Sequence, residues 1–72
     1  MTTEQLRKAA QEWIDQSHSE KVLTLPRETV DAFSLIGFAL ASEIAARGDL
    51  FVVDQMVAAN NDLIDRYELA NG

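Results

Sequence analysis

Two stretches of helical periodicity meet at Arg47-Gly48-Asp49, and this junction leaves the chain very few architectures. Glycine has no Cβ and readily takes the left-handed conformation that closes a helix at its C′ position. Aspartate directly after it is a favoured N-cap, so one helix stops and the next starts almost at once. A connection this short joins only antiparallel neighbours. The upstream helix, helix 2, is read from Pro26 to Arg47, because proline suits a first helical turn and Glu28 suits the positive end of the dipole. The downstream helix, helix 3, is read from Leu50 to about Leu69, with Val53, Met56, Val57, Asn60, Leu63, Ile64 and Tyr67 on one face. At about 20 residues each, the two helices are roughly 30 Å long, and their hairpin is the body of the fold.

Ahead of the hairpin, Thr2 and Gln5 have capping-box spacing, and Leu6, Ala9, Ala10, Trp13, Ile14 and Ser17 recur at steps of three and four. Helix 1 is therefore expected over residues 3–17 as a narrow amphipathic stripe. Residues 18–25 lose that period, and Ser19, Val22 and Thr24 favour an extended connector. The expected fold is all-α: one domain spanning residues 1–72, with three helices and no linker or internal repeat. A chain this small buries only about 60% of its unfolded surface, and without cysteine it has no disulfide to add stability. Extra burial is therefore expected from a second copy, as a homodimer in which two hairpins form a helical bundle.

Helix 2 supports that expectation. On a 100° wheel Thr29, Val30, Phe33, Ile36, Gly37, Leu40, Ala41 and Ile44 share one wide arc, while Leu35, Phe38 and Ala39 fall outside its centre. A helix apolar on more than one side must touch helix 3 and something else. Gly37, Ala41 and Ala45, with Ser34 nearby, form a row of small side chains that admits a close helix crossing. The visitor is either Trp13 of helix 1 or a second copy, whose seam would run through Phe33, Gly37, Leu40, Ala41 and Asn60. Asn60, in the middle of the apolar face of helix 3, either pairs with its counterpart across such a seam or sits at the rim of the core.

Chemistry finds little purchase here. His18 follows Asp15 by three residues, but there is no second histidine or cysteine to complete a transition-metal site, so no metal and no cofactor are expected. Ser17 and Ser19 flank this one plausible neutral-pH base, yet a small bundle offers no cleft in which a third group could orient it, and no catalytic residue is expected. Arg47-Gly48-Asp49 spells an integrin-type tripeptide, but its spacing is that of a helix stop and start. The net charge of −6 repels phosphate backbones and anionic bilayers. In a helix-turn-helix reading the recognition helix would carry Asp54, Asp62, Asp65 and Glu68 against Arg66 alone, so no nucleic acid is expected as a partner. The longest apolar-rich run, Ala32 to Ser42, falls short of a bilayer span, and the N-terminus leads into no signal-type apolar run. The expected location is cytoplasmic, with no membrane partner.

What remains is surface. Leu35, Phe38, Phe51 and Leu69 lie outside the hairpin seam and are surrounded by acids, the composition of a partner-binding patch with a polar rim. The partner is expected to be a protein with a basic or apolar docking surface. In size, in charge and over the hairpin from Leu25-Pro26-Arg27-Glu28 to Val52-Val53-Asp54, the chain resembles the small acidic helical proteins, phage-borne or chromosomal, that bind bacterial regulators. These include the quorum-sensing anti-activators that act on LasR. The resemblance implies an inhibitor that sequesters a transcription factor without cofactor or chemistry, and with no shared motif it assigns no residue. The alternative is a structural or assembly subunit, or a chaperone, in a permanent helical complex.

Overall fold

The computed structural model describes all 72 residues and is all-helical. It contains α1 (Thr3–Ser17), a 3₁₀ turn (Glu20–Thr24), α2 (Arg27–Ala46) and α3 (Leu50–Asn71). The capping box forms as its spacing requires. The Thr2 amide donates to Gln5 Oε1 at 2.8 Å, and the Gln5 amide donates to Thr2 Oγ1 at 3.1 Å. Pro26 caps α2 with its carbonyl, which accepts from the Thr29 and Val30 amides. At the other end Gly48 has φ +82°, its amide donates to the Ala45 carbonyl, and the Asp49 amide donates to the Ile44 carbonyl. This pair of bonds is a Schellman closure.

Three local expectations need correction. Asp49 occupies the N-cap of α3 but makes no side-chain cap, because its carboxylate accepts from Arg7 Nε at 2.7 Å instead. The segment 18–25 is not extended. Ser19 Oγ accepts from the Lys21 amide and Thr24 Oγ1 donates to the Lys21 carbonyl, so local hydroxyl bonds wind the segment into a 3₁₀ turn that buries Val22. α3 continues past Leu69 to Asn71, whose amide nitrogen donates to the Leu23 carbonyl at 3.0 Å and ties the helix end to that turn.

The helices pack up-down-up. The start of α1 lies beside the α2–α3 turn, where Arg47 donates to Thr3 Oγ1 and to the Met1 carbonyl. Its end lies beside the last turns of α3, where Arg66 donates to the Ser17 carbonyl, a cation at a helix C-terminus. α2 and α3 pack closely along their length, and α1 lies against both. One part of the core joins Leu6, Ala10, Trp13, Ile44, Met56 and Ala59, and another joins Val22, Val30, Leu63 and Tyr67. Phe33 packs against both. Tyr67 also donates its hydroxyl to the Leu25 carbonyl at 2.7 Å.

Trp13 settles what lies on the small-residue row. Its indole stacks on Phe33 with centroids 4.9 Å apart, and its Nε1–H donates to the Phe33 carbonyl at 2.9 Å. The ring lies so close to Gly37 that a Cβ there would overlap it. Helix 1 of the same chain therefore occupies the row at Gly37, while Ala45 at its end stays exposed. By length and composition α2 is apolar enough to cross a membrane, because an 18-residue window tolerates Asp31 and Glu43; this corrects the expectation that no run qualifies. Here α2 is the central packing helix, with Val30, Ser34, Gly37, Ala41 and Ile44 buried against its neighbours.

Candidate docking face

The residues expected to form an oligomer seam are partly occupied within the chain. Gly37 and Ala41 are buried, and Phe33 and Leu40 pack half-buried against the core. Asn60 Oδ1 accepts from Ser34 Oγ at 2.8 Å, so its partner is neither a symmetry mate nor a backbone group but a side chain across the α2–α3 seam. Of the five seam residues, Gly37 and Ala41 are covered within the chain and are not free for a second copy, while Phe33, Leu40 and Asn60 keep part of their surface exposed. No buried side-chain nitrogen or oxygen lacks a partner.

Truncating one member of the Ser34–Asn60 pair strands the other. Asn60→Ala is expected to cost about 1 kcal/mol, and Ser34→Ala on that background should cost less than it does alone, with a coupling of about 0.5–1.5 kcal/mol. Urea unfolding of the four proteins measures the cycle, and additive effects would deny the bond.

The expected partner residues are all exposed, but they do not form one patch. Leu35 is 68% and Phe38 52% exposed on α2, and Phe51 and Leu69 are exposed on α3. Phe51 and Leu69 are 18 residues apart, which is five helical turns or about 27 Å along a single side of α3. Phe38 instead meets Val57, because the two side chains stand over a cavity of about 10 Å³ between α2 and α3. Ser34, Asn60, Met56 and Trp13 also line it, and it has room for about one water. Ile36, assigned by periodicity to the covered arc, is 57% exposed, since it lies about 120° round the helix from the buried line of Val30, Gly37 and Ala41. Val57, also expected inside, is exposed beside Phe38. Leu35, Phe38 and Val57 thus share the side of the hairpin away from α1, whereas Ile36 is exposed about 160° round α2 from Phe38.

The charge around this face is predominantly negative. From Arg27 to Asn71 the chain carries eight carboxylates and three arginines, so five of the six net negative charges lie in the hairpin. Those arginines are engaged: Arg27 with Asp31 and over the Tyr67 ring, Arg47 with the N-terminus, and Arg66 with Asp62 and Ser17. Glu28, Glu43, Asp54, Asp65 and Glu68 have no cationic partner within 4 Å. The lysines, Lys8 and Lys21, belong to α1 and the 3₁₀ turn.

Elsewhere the candidate groups are committed to structure. His18 Nδ1 lies 3.9 Å from Asp62 Oδ2, with both side chains more than half exposed, and Asp15 accepts from Gln11. No three His, Asp or Glu side chains gather closely enough to hold a metal ion. Ser17 is buried with its hydroxyl donated to the Ile14 carbonyl, and Ser19 accepts from Lys21, so neither hydroxyl is directed at His18. Arg47 and Asp49 of the tripeptide are held by the N-terminal segment. No family model, curated protein or solved structure was found to match the chain.

Proposed function

We propose that this chain is a non-catalytic protein-binding regulator that sequesters a partner protein through the exposed face of its hairpin. The observation that carries the reading is the exposed apolar side chains Leu35, Phe38 and Val57 on one side of a hairpin whose own core is already filled. Large side chains left in water gain the chain nothing in folding, whereas an aromatic anchor desolvated at an interface can contribute about 2 kcal/mol or more of binding energy. The satisfied core favours a chain that folds alone and then binds over a subunit that folds only within a permanent complex. The partner class suggested by size, acidity and the hairpin is a bacterial transcriptional regulator, held in the cytoplasm without cofactor or chemistry.

Phe38→Glu tests the reading. The side chain is half in water, so the variant should keep its helicity and melt within about 5 °C of the parent, while its capture of the native partner falls by a factor of about 30 or more. Circular dichroism and quantitative co-purification from the host measure the two effects. A folded variant that captures the same proteins equally well would remove this face from the function.

A further inference from the structure

We propose that the open side of the α2–α3 hairpin receives a basic amphipathic helix of the partner, laid along the Phe38–Val57 seam as the fourth helix of a bundle. This rests on the protein-binding reading and names the partner's chemistry. α1 covers one side of the hairpin, with Trp13 reaching between α2 and α3 onto Gly37. On the uncovered side Phe38 and Val57 flank a shallow gap over the Ser34–Asn60 bond. Two ridges with a groove between them match the apolar anchors that a helix presents at steps of three and four.

The rim decides which helix fits. At 100° per residue Asp54, Asp65 and Glu68 lie within about 80° of Val57 on α3, all exposed and without a cation. On α2, Asp31 follows the same side as Leu35 and Phe38, and its bond to Arg27 is solvent-exposed at both ends. Unpaired acids therefore border the apolar seam along α3, and on α2 the one acid of that side, Asp31, is shared with Arg27, so a helix with lysine or arginine beside its apolar stripe would find its counter-charge chiefly on the α3 flank. A second copy would bring acid against acid, and an anionic lipid surface would be repelled in the same way.

The test uses a synthetic peptide of about 18 residues, five helical turns, with leucines on one stripe and lysines elsewhere, and a leucine–glutamate peptide of the same pattern as control. The lysine peptide should bind, with amide shift changes in two-dimensional NMR centred on Leu35, Phe38 and Val57. The glutamate peptide should not bind. Phe38→Ala should weaken binding about tenfold. Asp54→Lys combined with Asp65→Lys should weaken it about tenfold and flatten its salt dependence. Shifts centred elsewhere, equal binding of the two peptides, or indifference to either variant would overturn the proposal. So would sedimentation showing a dimer whose contacts fall on these same residues, since a second copy would then own the face. Failure here leaves the broader reading standing if Phe38→Glu still loses its native partner, and that reading falls if Phe38→Glu captures it normally.

Discussion

Trp13→Ala should remove most of the stability of this protein. Truncating a buried tryptophan costs about 3–5 kcal/mol, and a chain of 72 residues has only about 4–11 kcal/mol in total. The cost belongs near the upper end because the indole has three roles. It fills the space over Gly37, it stacks on Phe33, and its N–H is bonded to the Phe33 carbonyl. Without it α1 loses its largest anchor on α2, and Ala10, Met56 and Ala59 face a void too large to collapse. A thermal melt should show a drop of about 15 °C or more, with loss of the α1 signals first in hydrogen exchange. A drop of less than about 5 °C would mean that α1 is held by its polar ties to Arg47, Arg66 and Asp49 rather than by this ring.

The helix boundaries were legible because their signals are local. Thr2 with Gln5, Pro26 with Glu28, and Gly48 act within a turn of where they stand, and the helices begin and end there within a residue or two. Long-range competition was not legible. Asp49 has the right spacing to cap α3, but nothing near it in sequence announces that Arg7, 42 residues away, will take its carboxylate. Nor do Tyr67 and Asn71 announce that they will hold the carbonyls of Leu25 and Leu23 and so anchor the 3₁₀ turn.

The docking face was half legible for a related reason. Periodicity shows how wide an apolar arc is, but it shows which part is covered only when the arc has clear edges. α1 has a narrow stripe, and its buried residues Leu6, Ala10, Trp13 and Ser17 are those the spacing selects. α2 is apolar almost all round, so its phase came out wrong for Ile36 and right for Leu35 and Phe38. The small-residue row announced a crossing without naming the visitor, and only the packing of Trp13 tells an intrachain crossing from a seam between copies.

Gly37→Ala reads out that crossing directly, because two opposing effects of known sign meet at one atom. In mid-helix alanine is favoured over glycine by about 1 kcal/mol, so at an open position the change would stabilise α2. At Gly37 the new methyl overlaps the indole of Trp13. The ring cannot swing aside, since the Phe33 stack holds its face and the bond to the Phe33 carbonyl holds its edge. Overpacking of this kind costs about 1–3 kcal/mol, and with a rigid ring as the obstacle the net effect should be destabilising despite the gain in propensity. Replacing the obstacle should reverse the sign. On a Trp13→Phe background, where the smaller ring leaves room, Gly37→Ala is expected to be neutral or stabilising, which corresponds to a coupling of about 1 kcal/mol or more between the two sites. Urea unfolding of the four proteins measures that coupling. Gly37→Ala with no cost on the parent background would place Trp13 away from this helix and reopen the small-residue row to a second copy.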